Sequence, residues 1–155
     1  MDAPTLRRRS PGASSVGAPS LEPAESTAFG STSDRDWHWE IPRGFGAPDE
    51  STATTARREL LEELGGKVAE MIHLGEIATD TGMHSGRDQL YLARLATSSF
   101  SGTPGPDALE EGIDAFRAVT PEELRAMLAE GHIHDGFTLA AWSLATARGL
   151  LPPAP

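Results

Sequence analysis

The sequence contains no cysteine. That absence excludes disulfides, thiolate-held metals and a cysteine nucleophile, and it fits a reducing compartment such as the cytoplasm. No run of about 18 apolar residues occurs, so nothing reads as a membrane-spanning helix. Positive charge is scarce. Thirteen Lys and Arg stand against 23 Asp and Glu, for a formal net charge of −10. An acidic surface repels phosphate backbones, which argues against nucleic acid as a partner. It also means that a phosphorylated ligand needs a cation to screen it. The run Arg7-Arg8-Arg9 has no apolar stretch behind it and is not a secretory signal.

What is present fits one domain of 155 residues. Residues 1–35 are dominated by Pro, Ser, Gly and Ala, with large apolar residues scattered singly at Leu6, Val16, Leu21 and Phe29. No period of 2 or 3.6 emerges, so the stretch reads as a disordered tail with its arginines solvated. Order is expected from Trp37. Trp37, Trp39 and Ile41 alternate with His38 and Glu40, predicting a short half-buried strand. A Gly/Pro loop follows at residues 43–48. Asp49, Glu50 or Ser51 can cap a helix that runs to about Leu64 and stops at Gly65-Gly66. Val68–Ile77, Asp88–Leu95 and Ile113–Val119 read as strands, and Ser98–Asp107 as a loop. Thr120-Pro121-Glu122-Glu123 opens a helix with capping-box spacing. A last helix spans about Gly136 to Arg148. The scattered histidines, His132 and His134 included, lack a third partner at ligand spacing and read as ordinary side chains.

The helix after Gly44 carries the chemistry. Glu50 follows Gly44 by six residues, and Arg58-Glu59-Leu60-Leu61-Glu62-Glu63-Leu64-Gly65 begins eight residues later. On a helical wheel with Glu59 at zero, Glu63 falls at about 40° and Glu62 at about −60°. These carboxylates therefore share one arc. Ala53, Ala56, Leu60, Leu61 and Leu64 fill the adjacent arc and are expected to face the core. Like charges at this spacing repel, and the macrodipole disfavours anions at a helix C-terminus. A divalent cation removes the conflict, and Mg²⁺ prefers such hard oxygen ligands. Arg58 flanks the carboxylates and can fix a glutamate rotamer.

This stretch resembles the Nudix signature, Gx5Ex7REUxEExGU with U a bulky aliphatic. Every position matches except the last, where Gly66 stands. The resemblance implies a Nudix-type α/β/α sandwich with a mixed sheet, over a domain of residues 36–151. It implies Mg²⁺ or Mn²⁺ as cofactor, held mainly by Glu59 and Glu63. Glu62 is a further ligand or positions water, and a backbone carbonyl at or beside Gly44 completes the set. Glu50 mainly supports the loop and can reach a metal through water. The implied reaction is attack of water on a diphosphate linking a nucleoside to another group, without a covalent nucleophile. Glu59, Glu62 and Arg58 are then the catalytic candidates on the helix.

Trp39-Glu40-Ile41-Pro42-Arg43-Gly44 and the stretch from Gly131 to Ala141 are similar to the ADP-ribose and ADP-sugar pyrophosphatase branch. In that branch a glutamate on a late loop often acts as base; Glu110 or Glu111 occupies the comparable place. Residues 80–83 lack the proline that ADP-ribose hydrolases usually carry after the box. Only one apolar strand is legible ahead of the box, so the sheet reads as lacking N-terminal strands. An open edge of that kind invites a homodimer. Two functions follow as expectations: a metal-dependent hydrolase of a nucleotide-derived small molecule, and a non-catalytic Nudix-like domain that binds a nucleotide or a partner.

Overall fold

The computed structural model describes residues 4–9, 38–65, 67–79, 81–82, 85–96, 103–104 and 106–151. The rest of the expected tail, and Trp37, lie outside the described residues. In chain order the elements are β1 (Thr5–Arg9), β2 (His38–Glu40), α1 (Thr52–Leu64), β3 (Val68–Ile77) and β4 (Asp88–Leu95). Then come α2 (Pro106–Glu110), β5 (Ile113–Ala118), α3 (Pro121–Ala129) and α4 (Gly136–Ala147). The short helix α2 begins inside the stretch that reads as a loop.

Helix boundaries follow from local chemistry. The Ser51 hydroxyl caps α1 by accepting from the Thr54 amide at 3.2 Å. Gly65 closes the same helix in the left-handed conformation, φ 66°, which only glycine adopts cheaply. Thr120 and Glu123 cap α3 reciprocally, at 3.1 and 2.7 Å.

The first strand overturns two expectations. Thr5–Arg9, within the supposed tail, lies between β2 and β5 and pairs antiparallel with both. The sheet therefore has a strand ahead of β2 that the sequence pattern did not reveal. In that order β2 and β5 are the edges of the sheet among the described residues. The arginines are not simply solvated either, since Arg7 has no exposed surface. The reason is strand geometry. Successive side chains point to opposite faces, so Leu6 enters one layer and Arg7 the other.

Both faces of this sheet are covered. Leu6 packs with Val119, Leu124, Met127 and Ile133, and Trp39 and Trp142 lie against that cluster. On the other face Ile113 and Phe116 of β5 meet Leu60 and Leu64 of α1 and Ala108 of α2. Strands β3 and β4 form a separate antiparallel pair. Leu74 and Leu90 of that pair pack on Ala145, with Leu144 and Phe137 alongside. The result is a mixed α/β arrangement with helices on both sides of antiparallel strands, as an α/β/α sandwich requires. Leu61 departs from its expected place in the core: it is exposed, while Leu64 is buried and Leu60 partly buried against the sheet.

Candidate functional site

The loop from Gly44 and the helix α1 are tied together by one arginine. The Arg58 guanidinium donates to the Phe45 carbonyl at 3.1 Å and to Glu62 Oε2 at 2.9 Å. It pairs with Glu59 Oε1 at 3.0 Å and reaches both Glu50 oxygens at 3.4 Å. Glu50 in turn accepts from the Ala47 amide at 3.2 Å and the Thr55 hydroxyl at 3.0 Å. The Ala47 amide, helped by Arg58, holds the Glu50 carboxyl below its ordinary range. A carboxylate committed to so many donors fixes the loop, which is the supporting role expected for Glu50.

Glu59 is cradled by Gly44. A Cβ placed on Gly44 would collide with the Glu59 carboxylate, so only glycine lets the loop backbone approach it this closely. Burial raises the Glu59 pKa, and Arg58 opposes the rise.

Glu63 lies deeper. Its side chain is 6% exposed, against 53% for Glu62. Glu63 Oε1 accepts from Arg7 Nη1 at 2.5 Å, and Glu63 Oε2 is buried with no hydrogen-bond partner. Burial is the main reason that its pKa is raised to about 7, with Arg7 opposing and the charges of Glu59, Glu111 and Glu40 adding to it. Arg7 does not cancel that cost because its single charge is shared. Its Nε donates to Glu40 Oε1 at 2.9 Å.

Glu40 is fully buried, although the alternating pattern of its strand put it on a polar face. Register explains the difference. Glu40 stands opposite Arg7, and Arg7 opposite Phe116, so all three share the face that α1 covers. Arg43 donates to Glu40 Oε2 at 2.8 Å and His38 lies 3.2 Å from the same oxygen.

The structure thus brings Gly44, Glu50, Arg58 and Glu59 into one unit and places Glu63 beside it. Glu111 is close enough for its charge to act on both Glu59 and Glu63. Glu62 is drawn outward by Arg58. Sequence reading missed Arg7 and the burial of Glu40. The signal that could have found Arg7 is the concentration of three arginines in a strongly acidic chain.

Among the described residues no group of three or more His, Cys, Asp or Glu side chains is already arranged to hold a metal ion. The donors present nevertheless fit a hard cation. All are oxygens, one buried Glu63 oxygen lacks a partner, and the Glu59 carboxylate lies in the space that a Gly44 side chain would fill. Mg²⁺ keeps several waters and does not need an all-protein cage.

A glycine loop, an arginine-pinned helix and a graded set of carboxylates thus lie together around the start and end of α1. The NUDIX domain family matches residues 25–140, most of the chain, and the chain belongs to that family. The family acts on nucleoside diphosphate derivatives. No curated protein matches the chain. No helix among the described residues is long and apolar enough to cross a membrane.

Proposed function

We propose that this protein is a Mg²⁺- or Mn²⁺-dependent pyrophosphohydrolase of the ADP-ribose and nucleotide-sugar type. It would cleave the diphosphate of a nucleoside diphosphate joined to a sugar, giving a nucleoside monophosphate and a phosphorylated sugar. The observation that carries this reading is the unpartnered, buried Glu63 Oε2 beside a Glu59 carboxylate that Gly44 alone can accommodate. The cysteine-free sequence and a nucleotide substrate both suit the cytoplasm.

Glu59 and Glu63 would hold the cation, with the backbone carbonyl at Gly44, and Glu62 would act at the outer edge. When bound there, the cation lowers the pKa of a water and neutralises charge on the diphosphate. Arg58 keeps Glu59 and the loop in register. Glu111 is preferred over Glu110 as the base, because its charge reaches both Glu59 and Glu63. It would accept the proton of the attacking water.

A second reading is a non-catalytic domain that binds a nucleotide or a partner. One observation favours it: Arg58 and Arg7 already compensate carboxylates that a cation would otherwise neutralise. Hydrolysis of ADP-ribose and ADP-glucose in ¹⁸O water with Mg²⁺ separates the two. The expected result is label in one phosphate product, and a fall in kcat of about a hundredfold for Glu111→Gln. Nucleotide binding with no turnover under any divalent cation would establish the second reading instead.

A further inference from the structure

The N-terminal strand contributes to the site that the family signature does not reach. Arg7 is fully buried, and its guanidinium spans two carboxylates, Glu40 on β2 and Glu63 on α1. The partners lie 33 and 56 residues away in sequence. An arginine fork is rigid and planar, so two simultaneous bonds fix the orientation of both carboxylates. Because Arg7 takes Glu63 Oε1, Oε2 is the oxygen left without a partner. Glu40 is itself held by Arg43 on its other oxygen, and Arg9 stands 3.8 Å from Oε1. Arg7 is therefore anchored at one end and directs Glu63 at the other.

We propose that Arg7 is a positioning residue for the cation site: it fixes the Glu63 carboxylate so that its free oxygen is presented for coordination, and this makes β1 part of the active site. The inference rests on the metal-dependent reading given above. Ligands of bound metals are commonly oriented by a partner behind them, and loss of such a partner weakens metal binding. Here the partner is a cation rather than an acceptor, and it arrives from a strand outside the matched family stretch of residues 25–140.

Removing Arg7 alone would leave the buried Glu63 without its cation, while Glu40 keeps Arg43, so a change of net charge would accompany the loss of positioning. The double variant Arg7→Met/Glu40→Gln keeps the net charge of the cluster unchanged, because it removes one positive and one negative charge together. Mn²⁺ affinity is measured by calorimetry on the full chain, well below each protein's melting temperature. The double variant is expected to bind Mn²⁺ about 10- to 100-fold more weakly than wild type. Glu40→Gln alone, which loosens the anchor but keeps the bond from Arg7 to Glu63, is expected to fall between wild type and the double variant. A folded double variant with wild-type Mn²⁺ affinity would overturn the proposal.

If the double variant fails to fold, the wild-type protein decides. The Arg7 Nε–H resonance should shift as Mg²⁺ is added and saturate with the site, and a resonance that Mg²⁺ leaves unmoved overturns the inference. A wild-type protein that binds neither Mn²⁺ nor Mg²⁺ overturns both this inference and the proposed function. Binding without hydrolysis overturns the function alone, since the affinity comparison still reports on Arg7.

Discussion

Replacing Gly44 by alanine tests the site with the smallest possible change. The atoms nearest the added methyl all belong to the Glu59 carboxylate. Gly44 is not among the described glycines with positive φ, so alanine brings no backbone strain there. Glu59 must move, and as the far end of a flexible side chain it can. What it loses is the ion pair with Arg58, a contact that is partly solvated. Such pairs contribute below about 1 kcal/mol. Alanine also restricts the unfolded chain, a gain of roughly 0.4–1 kcal/mol. The two effects nearly cancel, so thermal stability should change little. Activity responds differently. A ligand displaced by about 1 Å costs on the order of a hundredfold in rate. The expected Gly44→Ala protein therefore melts within a few degrees of wild type, binds Mn²⁺ weakly, and turns over about a hundredfold more slowly. Calorimetric titration with Mn²⁺, a thermal melt and a phosphate-release assay on one preparation measure all of this. Wild-type Mn²⁺ affinity and turnover in a folded Gly44→Ala protein would refute the placement of Glu59 at the reactive centre.

Two further outcomes follow from the buried groups. The Glu63 carboxyl is raised to about 7 in the folded protein, so between its unfolded pKa and 7 the folded state binds the extra proton. Its contribution to stability is present below the unfolded value and is lost as pH rises through 7; over that window the metal-free protein should lose on the order of 3 kcal/mol. Urea melts at pH 5.5 and 8 in chelator would show this, and equal midpoints would contradict it. Leu6, buried without exposed surface among Val119, Leu124, Met127 and Ile133, should cost about 3 kcal/mol when cut to alanine. A Leu6→Ala protein as stable as wild type in chemical denaturation would show that β1 does not belong to the core.

Much of the frame was legible because its signals are local. Ser51 and Gly65 bracket α1, Thr120 and Glu123 cap α3, and alternating or continuous apolar runs mark β3, β4 and β5. Helix periodicity alone brings Arg58, Glu59 and Glu63 to neighbouring positions, whereas Gly44 and Glu50, ahead of α1, were placed by the resemblance to the family signature. Leu61 was misplaced because a wheel gives an arc and not its width; whether a flanking leucine is covered depends on how closely the sheet approaches. The five-residue α2 is too short to carry a period of its own.

The strand β1 failed to declare itself for a different reason. Alternation of apolar with polar residues marks a strand only when its polar face meets water. In Thr5–Arg9 the polar face meets buried carboxylates instead, so the inward residue on that side is Arg7. The same reversal hides Glu40 on β2, and the two errors are one. Each charge is buried because the other is, and neither makes sense until strands separated by 33 positions are set side by side. The sharing of Arg7 with Glu63 carries the argument into the site. A purely structural pair would be satisfied within itself, and hydrophobic replacements could match its stability. Here a second carboxylate is brought to the same guanidinium and keeps one oxygen unpartnered. That incomplete satisfaction, on the helix bearing the family's charges, is the feature a divalent cation would complete.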